Sequence, residues 1–104
     1  MSMDLSRLMQ QAQQMQRKMQ EIEGQLAETM YEGNTGGEEG VTVVVSGRNE
    51  VQEVRIFEDL MNPDDREMLQ DMILIAVNDA LGKAAAEREE KLGGLTQGMK
   101  LPGM

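Results

Sequence analysis

The first 26 residues carry apolar side chains that recur alternately every three and four positions. The repeat consists of Leu5, Leu8, Ala12, Met15, Met19, Ile22 and Leu26. This spacing places the apolar side chains on one narrow stripe of an α-helix, as in helices that pack along a neighbouring helix. Glutamine, methionine and leucine are good helix formers, and no proline interrupts the segment. We therefore predict a helix over residues 3–26, with a stripe that needs a packed neighbour.

From residue 27 onward the pattern is typical of β-strands. The segment "VTVVVS" at 41–46 is the strongest strand signal, because five successive residues are β-branched. A turn, "GRNE", leads to the alternating segment "VQEVRIF" at 51–57, and a weaker strand is predicted at 27–33. These lengths predict a three-stranded antiparallel meander. Glu53 and Arg55 place charged side chains on one face of the sheet, so we expect the opposite, apolar face to be covered by another element.

A second helix is predicted over residues 63–91. Its start has Asn62 as N-cap, Pro63 at the first helical position, and Asp64 and Asp65 complementing the helix dipole. The first half of this helix is apolar enough to cover the sheet. Its second half is polar and is expected to project.

The glycine pair at 93 and 94 is predicted to stop the second helix. The remaining residues show no periodicity, so 93–104 are predicted to form a flexible tail. Residues 1–92 then form a single α+β domain with the element order α-β-β-β-α.

Composition predicts a thin core and self-association. The chain of 104 residues has one Tyr, one Phe and no Trp, although aromatic side chains usually contribute most to core burial. Oligomerisation is a common remedy for a small core. Because no apolar run approaches the ~18 residues of a membrane span, we expect a soluble cytoplasmic protein without a membrane partner.

Enzymatic chemistry is not expected. The absence of Cys and His removes thiolate nucleophiles and the usual general base. The glycine-rich segment "GNTGGEEG" at 33–40 has no following Lys-Ser or Lys-Thr, and its glutamates would repel a phosphate. The acids of segments 58–59 and 64–65 lack the alternating pattern of a calcium loop. We therefore predict no catalytic residue, no metal, no cofactor and no small-molecule substrate.

The charge is unevenly distributed. The net charge is −9, of which residues 27–65 contribute −8, while both ends of the chain are close to neutral. Most bases lie on the first helix, on the later part of the second helix or in the tail. Two interpretations remain open: a binding surface, or solvated helix faces with i,i+4 pairs such as Glu87 with Lys91. The 11 methionines likewise fit either an adaptable peptide groove or ordinary core packing.

Four segments in order resemble the YbaB/EbfC family of small bacterial nucleoid-associated proteins. They are "LMQQAQQMQRKMQEIEGQL", "VTVVVSGRNEVQEVRI", "PDDREMLQDMILIAVNDALGKA" and "GMKLPG". The resemblance implies a homodimer of α-β-β-β-α subunits, shaped like tweezers with projecting helical arms. It also implies binding to double-stranded DNA, altered DNA conformation, and a place in the cytoplasmic nucleoid with effects on gene expression, nucleoid organisation or DNA protection. The first helix departs from the family pattern in having fewer lysines.

The resulting hypothesis is a homodimer that binds double-stranded DNA through its helical arms, with an affinity that falls steeply with salt. The candidate phosphate partners are Arg7, Arg17, Lys18, Arg88 and Lys91. Gln13 and Gln14 are candidate hydrogen-bond donors to phosphates or base edges. The alternative is a helical adaptor or holdase that uses the apolar stripe and the methionines to bind other proteins and leaves DNA alone.

Overall fold

Two long helices frame a three-stranded antiparallel sheet in the computed structural model, which describes residues 2–97 and the side-chain surroundings of 4–95. In chain order the elements are α1 (Ser2–Glu28), β1 (Met30–Thr35), β2 (Val41–Ser46), β3 (Val51–Ile56) and α2 (Arg66–Gln97). Short 3-10 turns occupy Gly37–Glu39, Glu58–Leu60 and Pro63–Asp65. The strand order is β1-β2-β3. The predicted α+β class and α-β-β-β-α order are confirmed.

The junction between α1 and β1 lies later in the chain than predicted. The helix continues to Glu28, and β1 begins at Met30 rather than at residue 27. Ala27 and Glu28 are good helix formers that extend the last turn. The Thr29 hydroxyl then donates a hydrogen bond to the carbonyl of Gln25 at 2.7 Å, which satisfies one of the free carbonyls at the helix end.

The start of α2 uses the predicted residues, with a short 3-10 turn before the regular helix. The Asn62 side chain accepts a hydrogen bond from the Asp64 backbone N–H at 3.1 Å, and Pro63 follows at the first position of the turn. The predicted end of α2 is wrong, because the helix passes through Gly93 and Gly94 and reaches Gln97. Glycine weakens a helix without ending it, and the neighbouring Leu92 and Leu95 are half-buried. Residues 98–104, the rest of the predicted tail, lie outside the described residues.

The core lies between α2 and the first two strands. Its fully buried side chains are Val41, Val43 and Val45 of β2 and the small residues Ala76 and Ala80 of α2. Small side chains allow the helix backbone to approach the sheet closely. At Gly33 of β1, an added Cβ would lie 2.3 Å from the Ala80 backbone nitrogen and 2.4 Å from the Ala76 carbonyl oxygen.

The inner face of β3 is left largely uncovered. Val54 lies opposite Val43, and Val51 lies opposite Val45, so both valines of β3 share the face that packs under α2. Their partners are fully buried, whereas Val54 and Val51 remain 48% and 51% exposed. The helix packs mainly on β1 and β2. An apolar strip of the sheet is therefore open to solvent in the single chain.

Tyr31, the only tyrosine, has a buried hydroxyl that lies beside the Glu87 carboxylate. Burial, with the Glu87 carboxylate nearby, raises the pKa of Tyr31 to about 12 from its ordinary 10.0. Since the unfolded chain loses this proton first as the pH rises, we expect stability to fall between pH 10 and about 12.

An ultraviolet titration of tyrosinate absorbance measures this pKa directly, because the chain has no Trp. The urea-unfolded chain serves as the control and should titrate near the ordinary value. Glu87→Gln should lower the folded midpoint only in part, because burial is the larger cause. Equal midpoints in the folded and unfolded chains would contradict the expectation.

Candidate nucleic-acid interface

Most of α1 projects away from the rest of the protein. From Asp4 to Glu21 every side chain is exposed except that of half-buried Met15, and Leu26 is the fully buried side chain that anchors the helix. We call residues 4–22 the arm. Its projection explains the radius of gyration of 20.3 Å, against about 13 Å for a compact chain of this length.

The apolar stripe of the arm is uncovered along its outer part. Leu5 and Leu8 are 63% and 61% exposed. Glu23 of α1 contacts Arg88 of α2. From this contact outward, α2 continues for nine residues, about 14 Å of helix, whereas α1 extends for 21 residues, about 32 Å. Within the described chain, α2 is therefore the neighbouring helix for the base of the arm, and it does not reach the outer part that carries Leu5 and Leu8.

Polar side chains form a second stripe along the arm. It consists of Arg7, Gln11, Gln14 and Lys18. Spacings of four, three and four residues place these side chains on one face, about 16 Å long from end to end. The two other candidates on α1 lie elsewhere on its circumference, Arg17 about a quarter-turn from this stripe and Gln13 further round. We call the four-residue set the polar stripe.

The three cations of the arm differ from the cations of the sheet and of α2 in their surroundings. Within residues 4–95, Arg7, Arg17 and Lys18 make no ion pair, in contrast to Arg55 and Lys83, which pair with acids on the sheet and on α2. An unpaired exposed cation keeps its attraction for an external anion. The arm, with three bases against Asp4 and Glu21, therefore carries a net charge of +1 in a chain whose net charge is −9.

The two candidates on α2 are engaged within the protein. Arg88 Nη2 donates to Glu23 Oε1 at 2.6 Å, and its Nη1 donates to the carbonyl of Gly47 at 3.2 Å. Lys91 Nζ lies 3.5 Å from Glu87 Oε1 in an i,i+4 pair. The structure thus places Arg88 and Lys91 at the base of the arm, apart from the polar stripe.

Arg48 is a cation near the arm that sequence reasoning did not select. It is exposed in the turn between β2 and β3, and it lines a shallow groove with Gln16, Met19 and Gln20 of α1. No local signal points to this role, because the approach of the turn to α1 depends on the packing of the whole sheet. The preceding Gly47, whose backbone N–H donates to the carbonyl of Leu26 at 2.8 Å, fixes that approach.

The acidic segments lie at the opposite end of the sheet. In an antiparallel sheet, the turn at 47–50 lies beside the start of β1 and hence near α1, whereas 36–40 and 57–65 lie at the other end. A six-residue strand separates the two ends by about 20 Å. Glu38, Glu39, Glu58, Asp59, Asp64 and Asp65 all belong to the distant end. These six carboxylates are therefore separated from the weakly cationic arm.

No group of three or more His, Cys, Asp or Glu side chains in the described range is arranged to hold a metal ion. Neither α1 nor α2, as described, combines the length and hydropathy of a membrane-crossing helix. The fold and the arm define a small α+β protein whose projecting polar helix is suited to binding a large partner.

Comparisons with known proteins identify the family. The YbaB/EbfC DNA-binding family matches residues 1–99, and the chain belongs to that family, which is a family of nucleoid-associated DNA-binding proteins and not of enzymes. A nucleoid-associated protein of Chloroflexus aurantiacus is 48% identical over 98 residues, which cover 94% of this chain and 97% of that protein. One from Clostridium novyi is 43% identical, over 98% of this chain and 89% of the relative.

A solved structure matches the fold. The crystal structure of an uncharacterized protein from Helicobacter pylori superposes with a TM-score of 0.78, covering 88% of this chain and 95% of that one. The sequence identity is 22%, so this likeness concerns the fold alone.

Proposed function

We propose that this chain binds double-stranded DNA as a homodimer, with the α1 arms as the contact surface, and that binding alters the conformation of the duplex. The observation that carries the proposal is the arm itself, which bears unpaired cations at the end of the molecule away from the acidic segments. Membership of a DNA-binding family supports it. The protein then belongs in the nucleoid of a bacterial cytoplasm, and it influences gene expression, nucleoid organisation or DNA protection.

The dimensions of the arm fit a duplex. An α-helix with its side chains is about 10–12 Å across, and the major groove of B-DNA is about 12 Å wide. Arg7 and Lys18, at the two ends of the polar stripe, suit phosphate contacts. Gln11 and Gln14 between them can donate to phosphates or to base edges. Arg17 and Gln13 extend the contact where the duplex curves around the arm.

The uncovered face of β3 supports the homodimer. Val77 and Leu81 lie on the side of α2 opposite to Asp79 and Lys83, which contact the backbone of β1. Both side chains are half-buried and therefore border the open inner face of β3. A second copy packed on this apolar surface would shield it from water and would carry two arms on one particle, which doubles the number of phosphate contacts.

Val54→Thr should weaken the dimer because it places a hydroxyl on this apolar surface. We expect the dimer dissociation constant to rise about tenfold, since each dimer buries two such hydroxyls. Sedimentation equilibrium over a range of concentrations measures the change. Val44→Thr is the matched control. Val44 follows Val43, the register partner of Val54, and its side chain therefore lies on the outer face of the sheet. Equal effects of the two substitutions would contradict the proposed interface.

Fluorescence anisotropy of labelled duplex DNA at two salt concentrations tests the proposed function. Three cations per arm in a dimer give a slope of about −5 in log affinity against log salt, roughly a thousandfold loss between 50 and 200 mM. Energy transfer between dyes at the two ends of the duplex reports bending. No binding at micromolar protein in low salt would overturn the proposal.

The exposed apolar stripe favours a second candidate function. Leu5, Leu8 and Met19 remain exposed and suit the face of another protein's helix. In this alternative the protein is an adaptor or holdase, and the arm binds no DNA. Suppressed aggregation of an unfolded client, together with absent anisotropy change on duplex DNA, would favour it.

A further inference from the structure

The base of the arm is held by two contacts of different kinds. Leu26 is fully buried, and its carbonyl accepts a hydrogen bond from the Gly47 N–H at 2.8 Å. Three residues toward the arm, Glu23 Oε1 accepts a hydrogen bond from Arg88 Nη2 at 2.6 Å. The first contact anchors the end of α1 to the sheet. The second ties the start of the exposed arm to α2.

Gly24 lies between these two contacts. An added Cβ at this position would meet no heavy atom within 4 Å, so packing does not require a glycine here. Glycine in a helix interior weakens the helix and gives the backbone more freedom than any other residue. The helix can therefore bend at Gly24, and a bend there would swing the arm relative to the sheet.

We propose that Arg88 is a positioning residue that sets the direction of the arm across this flexible point. Its planar guanidinium joins three elements, because it donates to Glu23 of α1 and to the carbonyl of Gly47 in the β2-β3 turn while its own backbone belongs to α2. We call this set of contacts the latch. The consequence for DNA affinity rests on the proposed function, whereas the consequence for arm direction does not.

The geometry favours the latch over a direct phosphate contact. The side chains of Arg88 and Glu23 are 35% and 36% exposed, and the 2.6 Å contact joins two opposite charges. Two of the five guanidinium N–H donors of Arg88 are used by Gly47 and Glu23, and a phosphate approaching the others would lie beside the Glu23 carboxylate, which would repel it. Breaking the contact would leave the half-buried Glu23 carboxylate without its cation, close to the phosphate it would then repel.

Glu23→Gln separates the two roles because they predict opposite signs. Removing this acid lowers the negative charge and frees Arg88, so a phosphate-contact role predicts tighter DNA binding. The latch predicts weaker DNA binding. Without it the arm samples many directions, so only a fraction of the molecules hold the arm in the direction that binds DNA. We expect about a threefold to tenfold loss of affinity, because the glutamine amide oxygen of this variant can still accept from Arg88 but lacks the charge that strengthens the contact.

Glu21→Gln is the matched control. It removes the same charge from the same helix two residues away, and Glu21 is exposed and forms no ion pair within the described range. This control should bind DNA slightly more tightly than the unaltered protein. Gly24→Ala combined with Glu23→Gln should restore most of the lost affinity, because alanine stiffens the point at which the arm bends.

Electron paramagnetic resonance reads the arm direction without DNA. The chain has no Cys, so spin labels at Gln10→Cys on the arm and Asp71→Cys on α2 are specific, and dilution with unlabelled protein isolates the distance within one subunit. The latch predicts a distance distribution that broadens with Glu23→Gln and narrows again with Gly24→Ala. This result stands even if the protein binds no DNA, which separates failure of the latch from failure of the proposed function.

Unchanged thermal unfolding of Glu23→Gln would establish that the variant is folded. The inference is overturned if the distance distribution of folded Glu23→Gln matches that of the unaltered protein. It is equally overturned if Glu23→Gln binds DNA as tightly as Glu21→Gln does.

Discussion

Reversing the charge of Arg7 and Lys18 together, as Arg7→Glu with Lys18→Glu, is expected to lower the affinity for duplex DNA about a hundredfold or more. The proposed dimer would lose four exposed phosphate contacts, and at about 0.7 kcal/mol each these contribute about 2.8 kcal/mol, a factor of about a hundred in affinity. Because four fewer counterions are released, the slope of log affinity against log salt should become shallower by about 3.6. Both residues are exposed on the arm and have no internal partner within the described chain, so folding should be unaffected.

A control of equal charge separates a local contact from a general effect of acidity. Arg55→Glu with Arg66→Glu changes the net charge by the same amount, away from the arm. It removes two exposed ion pairs of Arg55, with Glu32 and with Glu53, which contribute little to stability. We expect less than a threefold change in affinity from this control, on the ground that distant exposed charges are screened. Similar losses in both double variants would show that the arm is not the contact surface.

Gly33→Ala is expected to destabilise the protein by about 2–3 kcal/mol. Its added methyl group would lie against the backbone of Ala76 and Ala80, and backbone atoms cannot rotate away as a side chain can. The helix must therefore rise from β1, and the core between them loses contact. Urea unfolding at a fixed protein concentration measures the change, because the proposed dimer would make the apparent stability depend on concentration.

Gly82→Ala provides the matched comparison on the same helix. An added Cβ at Gly82 meets no heavy atom within 4 Å, so alanine there should stabilise the protein by about 1 kcal/mol. Opposite signs from the same chemical change would identify close helix–sheet packing as the reason for Gly33. A small or favourable effect at Gly33 would mean that α2 does not approach the sheet as described.

The helices and strands could be predicted from local patterns because each has a local physical cause. Consecutive β-branched residues favour β2, and the heptad spacing favours α1. The end of α2 could not be predicted in this way. Gly93 and Gly94 disfavour a helix locally, yet half-buried leucines on both sides of the pair continue it, and their burial depends on tertiary packing.

The candidate interface was predictable only where exposure could be inferred from one helix. Arg7, Arg17 and Lys18 are exposed on α1, and their assignment to DNA stays a prediction. The pairing of Arg88 was not readable from sequence, because its partner Glu23 lies 65 residues away along the chain. The approach of Arg48 to α1 could not be predicted from the sequence either, because it depends on how the β2-β3 turn packs against the helix end.

The segregation of charge has a consequence for DNA that carries many copies of the protein. A molecule bound through its arm would turn the carboxylates of the distant end outward, and each bound chain brings a net charge of −9. The outer surface of such a coated duplex would remain anionic, and two coated duplexes would repel each other within a Debye length of about 8 Å at physiological salt. The protein would therefore coat individual duplexes and keep them apart. Polycations act in the opposite way, because they neutralise DNA and condense it.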